Sequence, residues 1–355
     1  RRWSTAARAR RRALHAFRQR KMSPPTTLLL SAGLFFWLSA APAESSRAVL
    51  LVALGAALSL QLLGHAISLA YSRVLPLSPA RDMYVVVTGA SSGIGKACAF
   101  ELVRRGFNVL LVARRAALLK EVQAALLSEG GGVLVSVLPL DLADATLDAG
   151  EAVLRALAER GAYCGALVSA AGASDRREFV ECSREEHRWA ARLNYTSHVE
   201  LIRTLAPPMC ARRRGRVLVI GSIVGSAGQP FNAAYSASKA ALSNLCDAVH
   251  YELALKGVGV TCALPGATDT GFAQAGGSED GLIFKLPTTS AAQVAERAVL
   301  AMLRAERQVV IGRVSTFFYL CGLYCPAPVS LVAGALFWNS PSGALAHFRS
   351  FLRDK

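Results

Sequence analysis

Residues 83–95 read Met83-Tyr84-Val85-Val86-Val87-Thr88-Gly89-Ala90-Ser91-Ser92-Gly93-Ile94-Gly95. The run 83–87 is apolar or aromatic and suits a short buried strand, and an apolar pattern with helical spacing resumes over 94–105. Between them the glycines stand as Gly-x-x-x-Gly-x-Gly. Glycine permits a tight bend, brings backbone close to a pyrophosphate, and lets a helix pack closely on its strand. The helix that such a turn opens presents unpaired N–H groups and the positive end of its dipole to a phosphate. Thr88, Gly89, Ser91, Ser92, Gly93, Ile94 and Gly95 are therefore candidate dinucleotide-binding residues. A glycine loop alone is a weak signal, and its position between a strand and a helix is what gives it weight.

The alternation continues downstream. Strands are expected at 108–112, 133–138, 166–169, 216–220, 258–263 and 308–311, and helices at 116–127, 147–160, 183–205, 233–255 and 289–303. Short apolar strands alternating with helices imply a parallel sheet covered on both faces. The expected fold class is α/β, a Rossmann-type doubly wound parallel sheet of about seven strands.

The end of the second strand bears on the nucleotide. An NAD site places an acid about 20 residues after the glycines to hold ribose hydroxyls. Here the chain reads Val112-Ala113-Arg114-Arg115, with no acid. Arg114 is placed to pair with a 2′-phosphate, which favours NADP(H); the alternative is two solvated arginines at a helix start. Asp141, after the third strand, either accepts from an adenine amino group or caps a turn.

A second constellation runs from Ser222 to Lys239. Tyr235 follows Ser222 by thirteen residues, and Lys239 follows Tyr235 by four. A helix puts Tyr235 and Lys239 on one face, where an ammonium would lower the phenol's pKa. A Tyr-x-x-x-Lys alone arises often by chance, and its meaning here depends on the upstream nucleotide site.

Taken together, the stretch 83–312 resembles the short-chain dehydrogenase/reductase family. The resemblance rests on Thr88 through Gly95, Asp141, Ala171-Gly172, Asn194, Ser222, Tyr235, Lys239, Pro265-Gly266 and Thr270. It implies a catalytic tetrad of Asn194, Ser222, Tyr235 and Lys239, with Ala171, Gly172, Pro265, Gly266 and Thr270 along the cofactor. In that scheme Tyr235 exchanges a proton with the substrate oxygen, and Ser222 holds that oxygen. Lys239 lowers the Tyr235 pKa and binds the nicotinamide ribose, and Asn194 positions a water linking Lys239 to solvent. The resemblance also allows a homodimer. One departure is plain: many members read Asn-Asn-Ala-Gly where this chain reads Ser169-Ala170-Ala171-Gly172, which removes a side-chain amide from the backbone beside the cofactor. Asn194-Tyr195-Thr196 matches a glycosylation pattern, but an Asn of the catalytic site should be inaccessible.

The flanks are of another character. The 355-residue chain is 53% hydrophobic, with mean hydropathy +0.35 and net charge +16. Nine basic residues and no acid lie within 1–21, which leaves +7 on the remainder. Basic residues spread along a groove among stacking aromatics would mark a nucleic-acid surface; this pattern is missing and nucleic acid is not an expected partner. The leader 1–27 reads as a targeting peptide, a cytoplasmic anchor, or sequence upstream of a start at Met22. The region 28–71 holds apolar runs at 28–43 and 48–71, the second uncharged and the best transmembrane candidate. A linker is expected at 72–82, the NADP-binding catalytic domain at 83–312, and an apolar segment at 313–355. Within the last, Pro326 and Pro328 favour a broken, interfacial helix or a substrate-cleft wall over a straight span. The eight cysteines are scattered and form no metal-ligand pattern, so no metal is expected.

By the same resemblance, the stretch 271–286, with Phe272, Leu282, Ile283 and Phe284, should cover the substrate cleft. Its apolar lining and the apolar flanks point to a lipophilic ketone or alcohol and to a membrane partner. The endoplasmic reticulum is the expected membrane, with a plastid or other organelle as the alternative. Thr268 through Ala273 is similar to a stretch of the 3-ketosphinganine reductases; hydroxysteroid dehydrogenases and 3-ketoacyl reductases are the competing readings. A membrane-tethered NADP(H)-binding module without turnover is the reading from another class.

Overall fold

The computed structural model describes residues 75–338, apart from 175 and 278–280, together with isolated positions between 52 and 63. The leader 1–27, nearly all of the apolar region 28–71, and residues 339–355 lie outside the described residues. The expected catalytic domain falls in the second of two compact units, Arg1–Ser68 and Leu69–Lys355. Among the described residues no helix is long and apolar enough to cross a membrane.

The described residues form a seven-stranded sheet in which every pairing is parallel. The strands are β1 (Met83–Thr88), β2 (Asn108–Ala113), β3 (Val135–Pro139), β4 (Tyr163–Ser169), β5 (Gly215–Ile220), β6 (Val258–Pro265) and, after two short strands β7 (Thr268–Asp269) and β8 (Thr289–Ser290), β9 (Gln308–Ile311). Their order across the sheet is β3-β2-β1-β4-β5-β6-β9. The chain reverses direction of travel between β1 and β4, which opens the crevice where such sheets bind nucleotides.

The strands read as near-continuous apolar runs because both faces are buried. Alternate residues divide between two cores. Val85, Val87, Val109 and Leu111 point to one, with Leu102 of α1 (Gly93–Arg104), Leu119 of α2 (Ala116–Ser128) and Val299 further on. Tyr84, Val86, Leu110 and Val112 point to the other, with Val153 of α3 (Ala149–Ala158). The expected helix over 183–205 is interrupted. It consists of α4 (Arg184–Ala191), a π turn at Arg192–Thr196, and α5 (Ser197–Ala211). Such a turn inserts one residue into a helix and often marks a functional position; here it holds Asn194. The helix α6 (Ala233–Ala254) follows β5, the four-residue α7 (Phe272–Ala275) follows β7, and α8 (Ala291–Leu303), which carries Val299, precedes β9.

The apolar tail is broken, as its prolines require. It forms α9 (Arg313–Tyr324) and α10 (Ala327–Trp338). Cys325, which precedes Pro326, is extended at φ −73° and ψ 144°, the region that a following proline imposes.

The turn after β1 brings backbone close to backbone. A Cβ on Gly95 would lie 2.5 Å from the Gly89 carbonyl oxygen and 2.8 Å from its carbon. Gly95→Ala should therefore cost about 1–3 kcal/mol of overpacking and lower Tm by several degrees in a thermal melt. An unchanged Tm would show that the turn relaxes freely.

Candidate active site

The sheet carries the site at the C-terminal ends of its strands. Thr88 ends β1, Arg114 follows β2, Asp141 follows β3, Ala171 and Gly172 follow β4, Ser222 follows β5, and Pro265 ends β6 just before Gly266. Asn194 comes from the π turn, and Tyr235 and Lys239 from the first turns of α6.

The nucleotide half fits a pyrophosphate. Gly89 and Gly93 take φ of +64° and +55°, a region that suits glycine. A Cβ on Gly89 would meet the Ala170 carbonyl oxygen at 2.9 Å. Ser92 caps α1 without a side-chain hydrogen bond, so the first N–H groups of that helix are left for an anion. The Thr270 side chain lies within 3.6 Å of where a Gly93 Cβ would be, which brings the segment after β6 over the turn.

The two arginines after β2 behave differently. Arg114 is 65% exposed and sits 3.6 Å from Asp141. The other Asp141 oxygen accepts from the Ala143 N–H at 3.0 Å, the turn-capping alternative of the two read from sequence. Arg115 reaches into the glycine turn, where its Nη2 donates to the hydroxyls of Ser91 and Ser92, both at 3.0 Å. Sequence reasoning named Arg114 and missed Arg115, although the Arg-Arg pair was the signal for both.

In the catalytic half, Ser222 lies in extended backbone and caps a 3₁₀ turn at Ile223–Ser226. Its Oγ accepts from the Val224 N–H at 3.3 Å and donates to the Pro265 carbonyl at 3.4 Å. Its hydroxyl also acts on the Tyr235 phenol, favouring the ionised form. Lys239 is buried and donates from Nζ to the Ile220 carbonyl at 2.8 Å. Its Nζ stands 5.5 Å from the centre of the Tyr235 ring.

The electrostatics correct one expectation. Although part of Tyr235 reaches the surface, burial of its phenol raises its pKa, and the Ser222 hydroxyl only works against that shift. The ammonium expected to lower it lies over the ring face and is itself starved of water. Burial pushes Lys239 down to about 8, with Cys262 and Cys246 acting the other way. Desolvation therefore dominates both shifts.

Asn194 is fully buried, and both ends of its amide grip one residue. Oδ1 accepts from the Ala173 N–H at 2.9 Å, and Nδ2 donates to the Ala173 carbonyl at 2.8 Å. Its burial closes the glycosylation pattern. Because the side chain is committed to Ala173, a water relay at this position would have to use the Asn194 main chain. His198, one turn on, is a buried site neighbour that sequence reasoning did not single out.

A cavity of about 220 Å³ opens beside Tyr235 and Asn194, lined by Phe179, Trp189, Phe231 and Ser174 among others. Its aromatic wall comes from α4, its preceding loop and the start of α6, which sequence reasoning did not propose. On the segment it did propose, the Phe272 ring lies 5.7 Å from that of Tyr235, centre to centre, and Ile283 is buried.

The family model for short chain dehydrogenases matches residues 83–280. The chain is 37% identical over 174 residues to dehydrogenase/reductase SDR family member 7 of Mus musculus, covering 48% of this chain and 51% of that protein. It is 33% identical over 186 residues to a very-long-chain 3-oxoacyl-CoA reductase of Pyricularia oryzae, covering 52% of this chain and 56% of that protein. The matched stretch thus spans about half the length of these relatives. Among solved structures, a short-chain dehydrogenase from Sphingobium yanoikuyae in complex with NADPH superposes with a TM-score of 0.60 at 29% identity, covering 67% of this chain and 92% of that one. The match runs from β1 to the loop beside Tyr235, and its residues are those the fold gathers at the strand ends; the chain belongs to the short-chain dehydrogenase family.

Proposed function

We propose that this chain is an NADP(H)-dependent oxidoreductase that interconverts a carbonyl and a secondary alcohol on a lipophilic substrate, in the direction of ketone reduction. The observation that carries the proposal is the gathering of Ser222, Tyr235 and buried Lys239 beside a cavity with an aromatic wall. A non-catalytic binding module would not need that arrangement.

The nucleotide would be held by the open N-terminus of α1, the glycine turn, Lys239, and the segment from Pro265 to Thr270, with Arg115 and Arg114 as cations for a 2′-phosphate. Bound there, reduced cofactor supplies the hydride for carbonyl reduction. Ser222 donates a hydrogen bond to the carbonyl oxygen and stabilises the negative charge that grows on it. Tyr235 gives that oxygen its proton. Its raised pKa suits this direction, because the phenol stays protonated at neutral pH. Lys239, as an ammonium below about 8, offsets the charge left on the tyrosine.

A long-chain 3-keto lipid is the substrate class that we infer, with 3-ketosphinganine as the first choice. The aromatic wall of the cavity and Phe272 offer an apolar surface, beside polar lining residues that include Glu186, His187 and Asn232. The 3-oxoacyl-CoA reductase relative supports a second reading, a 3-ketoacyl thioester; a steroid ketone is the third. A membrane would supply such substrates. Val314 to Trp338 carries no charge, and Phe317, Leu323, Tyr324, Val329, Leu331, Val332 and Leu336 of α9 and α10 are exposed. That face suits the lipid interface of an organelle such as the endoplasmic reticulum.

Activity is tested by NADPH oxidation against 3-ketosphinganine, 3-ketoacyl and steroid ketones, with membranes retained; no turnover on any of them would overturn the enzymatic reading. Tyr235→Phe should retain NADPH binding while losing about 10²-fold or more in kcat, and near-normal turnover would remove Tyr235 from its role. Arg115→Ala should weaken NADPH binding about ten- to a hundred-fold and leave NADH binding unchanged in fluorescence titrations. The assignment fails if only Arg114→Ala has that effect. The pH profile follows from Lys239: kcat for reduction should be level below about 8 and fall as the ammonium loses its proton above that value. A rate that rises through this range would contradict it.

A further inference from the structure

The strand end after β4 lacks polar side chains of its own. After Ser169 it runs Ala170-Ala171-Gly172-Ala173, yet its backbone adjoins the catalytic lysine. A Cβ on Gly172 would lie 3.0 Å from Asn194 Oδ1 and 3.7 Å from Lys239 Nζ. Buried backbone groups need partners, and here they come from outside the loop. Thr88 Oγ1 accepts from the Ala170 N–H at 3.0 Å and the Ala171 N–H at 3.3 Å. Asn194 takes both polar groups of Ala173. The Ala171 carbonyl is left to His198.

His198 is 1% exposed. Its Nε2 lies 2.9 Å from the Ala171 carbonyl oxygen, and its Nδ1 lies 2.8 Å from Ser169 Oγ. A carbonyl can only accept, so Nε2 carries the hydrogen. Burial and the nearby Lys239 charge push the imidazole down to about 3, so it is neutral, and its Nδ1 accepts from the Ser169 hydroxyl. Ser169 is buried as well. With both ring nitrogens committed inside the protein, the ring has no path to pass protons to solvent.

We propose that His198 is a positioning residue of this site: bridging Ser169 and the Ala171 carbonyl, it sets how closely the Ala171–Gly172 backbone approaches Lys239 and Asn194. The titratable groups facing Lys239 are Tyr235 and Cys246 on its own helix, Cys262 of β6, and His198 of α5. Of these, His198 is the one tied to the loop that packs on the ammonium. Releasing the loop should admit water to Lys239 and move its titration toward its ordinary value.

The inference rests on the reductase reading only for its kinetic part, so the test has a second readout. Lys239 is titrated by NMR in protein with labelled lysine side chains, for wild type, His198→Leu, His198→Gln and Ser169→Ala. His198→Leu removes both bonds. It should raise the Lys239 midpoint by about one unit and lower kcat about ten- to a hundred-fold with KM for the ketone within about three-fold. The alkaline limb of the kcat profile should move with the midpoint. His198→Gln, which can still donate to Ala171 and accept from Ser169, should restore most of both. Should His198→Leu not fold, Ser169→Ala, which removes one bond only, should show a smaller shift in the same direction. Unmoved Lys239 midpoints in every folded variant overturn the proposal. Shifted midpoints in a protein that reduces no ketone would leave the positioning role standing and overturn the reductase reading alone.

Discussion

The hydrogen bond from Lys239 Nζ to the Ile220 carbonyl fixes one buried charge to the end of one strand, and the rest of the site is arranged around it. Removing an ammonium from water is costly unless dipoles replace the lost solvent. Here the replacement is the last carbonyl of β5. That choice seats the start of α6 across the strand end, and Tyr235, one turn earlier, goes with it. The two residues after Ile220 are Gly221 and Ser222. Gly221 has no room for a side chain, since a Cβ would lie 2.7 Å from Leu264 and 3.0 Å from Cys262. Ser222 is thus delivered to the phenol by the same strand that holds the ammonium. The three groups proposed for catalysis share one anchor.

The opposite wall of the site is built in a different way. The loop 170–173 is small and apolar in its side chains, so it approaches Lys239 closely but cannot hold itself. Thr88 of β1, Asn194 of the π turn and His198 of α5 hold it from below and from the side. A small loop gripped from outside gives close approach, and the gripping residues must then be buried and exactingly paired. The π turn contributes Asn194, and α5 begins directly after it, so one interrupted helix places two of the three grips.

Much of this was legible in the sequence, for reasons of period. Seven strands were readable as apolar runs because both sheet faces are buried, and the glycine turn was readable because its spacing reflects steric demands at Gly89 and Gly95. Tyr235 and Lys239 could be placed together because four residues make about one helical turn. What escaped depended on side-chain direction in three dimensions. Arg114 and Arg115 are equivalent in composition, and only the path of the chain after β2 sends Arg115 to the serines. The interruption at Arg192–Thr196 leaves no mark on apolar periodicity. The direction of the Tyr235 shift could not be read because burial sets it, against the Ser222 hydroxyl, and burial is a tertiary quantity. His198 looked like any helical histidine until its partners, 27 and 29 residues earlier, were brought beside it.

The C-terminal helices connect that site to the outermost apolar surface of the described residues. They touch the active-site loops through positions without side chains. Gly322 of α9 has no room for a Cβ because Ser226 fills the space, and Gly334 of α10 would place one 2.7 Å from Gln229. Ser315 of α9 likewise occupies the space over Gly266, beside the Pro265 carbonyl that Ser222 contacts. Contacts this close transmit displacement rather than absorb it, since interiors packed at crystal-like density have little slack. Ser226 ends the 3₁₀ turn that Ser222 caps. The exposed face of α9 therefore lies one close contact and one short turn away from the hydroxyl proposed to hold the substrate oxygen. A surface engaged by α9 would bear on the geometry of the proposed carbonyl site, which gives the apolar tail a physical link to the residues around Ser222.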